Sequence, residues 1–222
     1  RNFLFCNGDT FFDINIYDLV NRFSKKKFLA FVALKKIENK KKRYDGYNLN
    51  KKNFLRSDKK KYINTGVIIF SKKIIKFLKK KGSLEKDVYP EIIKQNKMGG
   101  KIYKNDFIDM GTPKDLKKLP KFLEKINFKP AVFLDRDGVI NKDIGYLYKI
   151  KDVIWRKDIN KYIKKYNDKN YYIVVITNQS GVGRGYYKEQ DVIKLHSWIE
   201  NKIRLSGGNI DKIYFAPYYK DS

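Results

Sequence analysis

Ala131-Val132-Phe133-Leu134-Asp135-Arg136-Asp137-Gly138-Val139-Ile140-Asn141 is the stretch whose reading decides the fold. Four apolar residues run into two carboxylates spaced i, i+2, and a glycine follows. Pro130 precedes the run, so it reads as a short buried strand rather than a turn of helix. In an open α/β sheet, ligands bind beyond the carboxyl ends of the strands, which is where Asp135 and Asp137 fall. Gly138 permits a sharp turn and a close approach of backbone to a bound group. Two carboxylates at a strand end suit a divalent cation, and with it a phosphorylated substrate whose charge the cation offsets. Taken alone, the same residues also make an ordinary Asp-Gly turn.

Downstream the pattern recurs. Tyr171-Tyr172-Ile173-Val174-Val175-Ile176-Thr177-Asn178-Gln179-Ser180-Gly181 is again an apolar strand ending in small hydrogen-bonding side chains. Between the two, Asp158 to Asp168 carries Ile159, Tyr162, Ile163 and Tyr166 at helical spacing. Strand, helix and strand of these lengths form a βαβ unit with parallel neighbouring strands. Thr177 and Asn178 then sit beside Asp135, which puts a nucleophile, a second carboxylate and phosphate-binding donors in one crevice.

At these residues the chain resembles the haloacid-dehalogenase phosphatase superfamily, in its branch of histidinol-phosphate and heptose-bisphosphate phosphatases. The carriers are Asp135-Arg136-Asp137-Gly138-Val139-Ile140-Asn141 and Thr177-Asn178-Gln179-Ser180-Gly181 with Val182-Gly183-Arg184-Gly185. The likeness runs from about Lys129 to the end. It implies Asp135 as a nucleophile that forms an aspartyl-phosphate, and Asp137 as the acid/base that protonates the leaving alkoxide and then activates water. It further implies Mg²⁺ held by Asp135 and by the backbone carbonyl of Asp137. Thr177 and Asn178 would bind the transferring phosphoryl group, and Arg184 a second substrate phosphate. The family's later motifs, a lysine and further metal-binding acids, are expected beyond Ser222. Where this branch often opens a zinc loop with Cys-Pro-His-His, the chain has Ala216-Pro217-Tyr218-Tyr219, so a zinc-free or remodelled loop is expected.

The 222 residues allow one or two domains, and 42% hydrophobic content is enough for a core. A single cysteine, Cys6, excludes an internal disulfide framework and fits a reducing, cytoplasmic setting. It lies in the apolar run Phe3-Leu4-Phe5-Cys6 and reads as a buried, inert thiol. No stretch approaches the ~20 apolar residues of a membrane helix, and no signal peptide opens the chain. Arg1 opens the sequence two residues before a strand, as though a domain were already under way. The net charge of +27 comes in short scattered blocks (Lys25–Lys27, Lys40–Arg43, Lys59–Lys61, Lys79–Lys81), and Lys far outnumbers Arg. Scattered lysines read as solvated faces rather than a nucleic-acid stripe, and an A+T-biased coding sequence accounts for them. His196, among Ile193, Leu195 and Ile199 on a helix, reads as a structural residue.

The first half opens with a strand ending in Asn7-Gly8-Asp9-Thr10. An amphipathic segment, Ile16 to Phe23, a strand from Phe28 to Leu34, and a polar, irregular stretch from Lys35 to Asp58 follow. Tyr44-Asp45-Gly46 marks a turn within that stretch. Tyr62 to Phe70 is a buried strand whose Gly66 marks close approach of a ligand. Helical stretches are expected over Lys72–Lys80 and Leu84–Gln95, and a closing helix runs to about Lys125. Asn7-Gly8-Asp9, Ile63-Asn64-Thr65-Gly66, Leu84-Glu85-Lys86-Asp87 and Phe107-Ile108-Asp109-Met110-Gly111-Thr112-Pro113 resemble the carboxyl-terminal part of sugar-phosphate nucleotidyltransferases. That resemblance implies a catalytic Mg²⁺ shared by Asp9 and Asp109, and a sugar pocket lined by Asn64, Gly66 and Glu85. For Glu85 an acid placed to suit a helix N-terminus is the other reading. The family's Gly-rich nucleotide-phosphate loop is expected upstream of Arg1.

The expected architecture is α/β in two domains meeting near Asn127 to Lys129, each with a largely parallel sheet. Residues 1–127 form a partial nucleotidyltransferase with a Rossmann-like mixed sheet, and residues 128–222 a partial phosphatase domain of Rossmannoid type. The expected function is a bifunctional enzyme of nucleotide-sugar biosynthesis, with sugar phosphate and nucleotide as partners and neither nucleic acid nor membrane. D-glycero-D-manno-heptose 1,7-bisphosphate, for a bacterial surface glycan, is the favoured phosphatase substrate. The alternatives are a histidinol-phosphate or other small phosphomonoester phosphatase, and an inactive basic binding module.

Overall fold

A computed structural model describes residues 1–36, 46–57 and 61–219. The chain divides into two compact units, Arg1–Phe128 and Lys129–Ser222. The first unit begins with β1 (Asn2–Cys6), β2 (Thr10–Phe12) and α1 (Ile16–Ser24), then β3 (Ala30–Lys36), β4 (Gly46–Leu49) and β5 (Leu55–Arg56). After β6 (Tyr62–Ser71) come α2 (Tyr89–Lys94), β7 (Met98–Ile102), β8 (Phe107–Asp109), α3 (Pro113–Leu116) and α4 (Leu119–Asn127). The Asn15 side chain accepts from the Tyr17 and Asp18 N–H groups and so starts α1, whose Leu19 and Phe23 face the core.

This first sheet is mainly antiparallel, against the largely parallel one expected. β6 pairs antiparallel with β1, β3 and β4, and β3 with β7 is this sheet's parallel pair among the described residues. The α1 crossover does make β1 and β3 run the same way, but β6 inserts between them. Direction along the chain was legible in the sequence, whereas adjacency was not. Two strands, β4 and β5, also occupy part of the segment read as irregular: polar side chains do not prevent pairing on a half-solvated strand. Of the turn expected at Tyr44-Asp45-Gly46, Tyr44 and Asp45 lie outside the described residues. The helix expected over Leu84–Gln95 is a widened turn, Leu84–Val88, followed by the short α2. Pro90, with no N–H, cannot complete a continuous α-helical ladder there. Lys72–Phe77 is a short 3₁₀ helix rather than the longer helix expected.

Cys6 is exposed, not buried as its apolar neighbours imply. β1 lies on the outer side of β6, and its neighbours Phe3 and Leu4 are each 45% exposed. Partial burial nevertheless pushes the Cys6 thiol above its ordinary pKa, which keeps it protonated and a poor nucleophile.

The core of the first unit lies on both faces of this sheet. Val32, Leu34, Ile68, Phe70, Ile92 and Met98 fill one side, and Phe12, Leu19, Phe23, Phe31 and Ile69 the other. Across from Ala33, β6 carries a bulge, with Val32 opposite Ile68 and Leu34 opposite Asn64. Gly66 sits in that bulge at φ +77°, and a Cβ there would come within 2.6 Å of the Asn7 side chain.

In the second unit, β9 (Ala131–Leu134), α5 (Ile159–Asp168), β10 (Tyr172–Asn178), α6 (Glu189–Leu205) and β11 (Lys212–Ala216) follow in order. The sheet runs β11-β10-β9 and is parallel throughout, as the βαβ reading requires. α6 buries Val192, Leu195, His196, Ile199 and Ile203, one face at i, i+3, i+4 spacing. Leu195, Ile199 and Ile203 pack with Ile159, Ile163, Ile173 and Val175. The other face of the sheet leaves Phe133 64%, Ile176 53% and Tyr214 57% exposed.

Gly66→Ala forces an L-residue into the left-handed region and into Asn7, an expected loss of about 1–3 kcal/mol. Gly8→Ala, with nothing within 4 Å of its Cβ, is the matched control and should cost much less. Urea titrations followed by far-ultraviolet circular dichroism check the pair; equal midpoints would contradict the argument.

Candidate active site

Asp135 follows the last residue of β9 and is exposed; the Arg136 N–H donates to its Oδ1 at 2.6 Å. The chain then turns: Gly138 has φ +81°, its N–H bonds the Asn141 carbonyl, and the Ile140 and Asn141 N–H groups bond the Arg136 carbonyl. This turn carries Asp137 back over the sheet edge. Three side chains converge on its carboxylate. The Arg136 guanidinium donates from Nη2 at 2.7 Å and from Nε at 3.1 and 3.2 Å. Asn141 Nδ2 donates at 2.8 Å and Gln179 Nε2 at 3.0 Å. The same Gln179 nitrogen lies 3.0 Å from the Thr177 hydroxyl, so one amide links the ends of β9 and β10. Tyr187 Oη donates to Gln179 Oε1 and fixes which way that amide points.

Of the residues expected here, Asp135, Asp137 and Thr177 come together at the carboxyl edge of the sheet. Asn178, the last residue of β10, is exposed at the same edge. Arg184 is exposed in the following loop, its guanidinium carbon 3.4 Å from the Tyr219 ring centre. Arg136, Asn141 and Gln179 lay inside the motifs without a role in the sequence reading, and Tyr187 was outside them. A charged residue reads as exposed, yet Arg136 is 1% exposed. His196 also meets this network: its Nε2 lies 3.3 Å from Arg136 Nη1. Burial, then the Arg136 charge, pull its pKa down to about 4, with Asp137 opposing.

In the first unit, β2 and β8 pair antiparallel with Thr10 opposite Asp109, and the Met110 N–H donates to the Asp9 carbonyl at 2.7 Å. Asp109 thus lies opposite Thr10, the residue after Asp9, although the two segments are far apart in sequence. The Asn7 N–H bonds the Gly66 carbonyl, so Asn7-Gly8-Asp9 and Asn64-Thr65-Gly66 form one structural piece. What approaches Gly66 closely is Asn7. Asn64 Oδ1 accepts the Gly66 N–H, and the Thr65 hydroxyl donates to the Ala33 carbonyl. Glu85 is exposed in the first turn after Ser83, whose hydroxyl donates to it. Burial first, and then the charge of Glu85, push the Tyr89 phenol above its ordinary pKa.

No protein-family model matches the chain. A D-glycero-alpha-D-manno-heptose-1,7-bisphosphate 7-phosphatase of Photorhabdus laumondii subsp. laumondii is 44% identical over 91 residues, 41% of this chain and 50% of its own. The second unit is similar to heptose-1,7-bisphosphate 7-phosphatases. A D-glycero-beta-D-manno-heptose-1,7-bisphosphate 7-phosphatase of Haemophilus ducreyi is 42% identical over 94 residues, 42% of this chain and 52% of its own. The chain therefore spans about half the length of the curated relatives it matches. Among solved structures, the D,D-heptose 1.7-bisphosphate phosphatase from B. bronchiseptica, complexed with magnesium and phosphate, matches at TM-score 0.40 and 28% identity, covering 42% of this chain and 52% of its own. HddC from Yersinia pseudotuberculosis matches at TM-score 0.46 and 26% identity, covering 56% and 55%. No helix among the described residues is long and apolar enough to cross a membrane.

The lowered pKa of His196 makes a stability prediction for this phosphatase-like unit. Between pH 6.5 and about 4 the unfolded chain binds a proton on this residue that the folded chain refuses. Its contribution is therefore full above pH 6.5 and is lost as pH falls toward 4, by on the order of 3 kcal/mol. Both tryptophans of the chain, Trp155 and Trp198, lie in this unit with rings stacked at 5.8 Å, so their fluorescence follows its unfolding. Acid titration of the unfolding midpoint should be shallower in His196→Phe than in the parent, and parallel curves would contradict the assignment.

Proposed function

We propose that the chain is part of a bifunctional enzyme that makes a nucleotide-activated sugar. The second unit hydrolyses a phosphomonoester of a sugar bisphosphate, with D-glycero-D-manno-heptose 1,7-bisphosphate the favoured substrate. The first unit contributes to nucleotidyl transfer onto a sugar 1-phosphate. The observation that carries the phosphatase reading is the Gln179 amide spanning Asp137 and Thr177 at the sheet edge where Asp135 stands open. Similarity to curated heptose-bisphosphate phosphatases supports it and points to the sugar.

Asp135 attacks phosphorus through its exposed carboxylate oxygen; the bond between phosphorus and the sugar oxygen breaks, and the alkoxide takes a proton from Asp137. Asp137 then removes a proton from the water that attacks the aspartyl-phosphate, which releases phosphate and restores Asp135. Thr177 and Asn178 bind the phosphoryl oxygens, and Arg184 holds the distal phosphate. Among the described residues Asp135 accepts one hydrogen bond, leaving its carboxylate open, and the Asp137 carbonyl is a second hard oxygen. Such a donor set fits Mg²⁺, which binds through one or two carboxylates, substrate phosphate and water. When bound, the ion offsets charge on the transferring group. In the first unit, Asp9 and Asp109 are assigned to a catalytic Mg²⁺; the pairing of Thr10, next to Asp9, with Asp109 supports that assignment. Asn64, Gly66 and Glu85 are assigned to the sugar pocket.

In the intact enzyme, Asp135→Asn should abolish phosphate release from the sugar bisphosphate, because the attacking anionic oxygen is gone. Asp137→Asn should lower turnover by ~10²–10⁴-fold while leaving substrate affinity largely intact. Phosphate-release kinetics read both, and full activity in Asp135→Asn would rule the mechanism out. Asp109→Asn should depress nucleotidyl transfer without affecting phosphate release, measured as pyrophosphate formed in the same preparation.

A further inference from the structure

We propose that His196 is a positioning residue for the phosphatase site, acting through Arg136 on the carboxylate of Asp137. The inference rests on the phosphatase reading given above and assigns the chain's one histidine a task within it. Arg136 is 1% exposed, and a buried guanidinium must find acceptors for its N–H groups. Nε and Nη2 are directed at Asp137, and Nη2 also donates to the Leu147 carbonyl at 3.0 Å. Nη1 meets His196 Nε2 at 3.3 Å. A guanidinium carries no acceptor lone pair, so Nε2 must be the acceptor and the imidazole proton must sit on Nδ1. A protonated imidazole would place two buried cations in contact.

The ring itself is held from outside the site. His196 projects from the inner face of α6 between Val192 and Ile199, and meets the Phe215 ring of β11 edge-on, centroids 5.4 Å apart at 75°. α6 and β11 therefore fix the imidazole. The imidazole fixes one arm of the guanidinium, and the planar guanidinium sets the direction of the Asp137 carboxylate. From the opposite side Tyr187 fixes Gln179, which donates to the same carboxylate. An acid/base carboxylate has to be held to within about 0.5 Å of its working position, and this clamp supplies that restraint without touching substrate.

The unique histidine makes the contact readable in the native protein. Ring ¹⁵N spectra of the labelled chain should show a protonated Nδ1 and an unprotonated Nε2 at neutral pH. The Nε2–H tautomer or an imidazolium would overturn the proposal. In the intact enzyme, His196→Phe keeps a ring but removes the acceptor, and kcat should fall by ~10–100-fold with KM unchanged. His196→Gln presents an amide oxygen to Arg136 and should recover most of that loss. Equal kcat in parent and both variants would overturn the inference while leaving the phosphatase reading standing. Equal loss in both variants, with unchanged tryptophan melts, would also overturn it, since the acceptor would not be what matters. A parent enzyme that releases no phosphate from any sugar bisphosphate would sink the phosphatase reading, and this inference with it.

Discussion

Taking a guanidinium out of water removes a cation from its strongest solvent contacts, and three segments of the second unit supply acceptors to Arg136 in exchange. The turn after β9 brings the Asp137 carboxylate, the following loop brings the Leu147 carbonyl, and α6 brings the His196 ring. Because one of these acceptors, His196, comes from a helix far along the chain, satisfying Arg136 also ties α6 to the turn after β9. An unpaired member would leave a buried charge, which is far more costly than a missing apolar contact. The candidate site is thus built around a cation that itself has no place in the chemistry.

The first unit is organised by a constraint of shape rather than charge. The β6 bulge at Gly66 admits the Asn7 side chain where any other residue would carry a Cβ, and the Asn7 N–H closes onto the Gly66 carbonyl. A second motif is positioned through the same corner, since β2 runs directly from Asn7-Gly8-Asp9 into its pairing with β8. Backbone geometry, not side-chain chemistry, brings the segment after Asp9 against the segment that carries Asp109.

Much of this was legible in the sequence because it is local. Apolar runs ending in Asp135 and Thr177 gave the two parallel strands, and the spacing of Ile159 and Ile163 gave the helix between them. What escaped is set by partners distant in the chain. β6 slides between β1 and β3, and no periodicity within any one of them announces that insertion. Cys6 is exposed because of where β1 lies in its sheet, which its apolar neighbours cannot report. The two strands after Gly46 were hidden in a polar stretch whose pairing depends on β6. Arg136 stood in the quoted motif beside one acceptor, Asp137, but the Leu147 carbonyl and the His196 ring that complete its burial lie outside it.

Among the described residues, α5 and α6 cover one face of the second sheet. Phe133, Ile176 and Tyr214 stand largely open on the other, and β9 and β11 are its edges among the described residues. Such a surface is adhesive in two directions: laterally, through unpaired backbone groups along the edges, and face-on, through apolar side chains. Left bare during synthesis, it is the kind of surface that chaperones hold and that drives misassembly. An apolar surface that packs over Phe133, Ile176 and Tyr214 would quench the face-on adhesion.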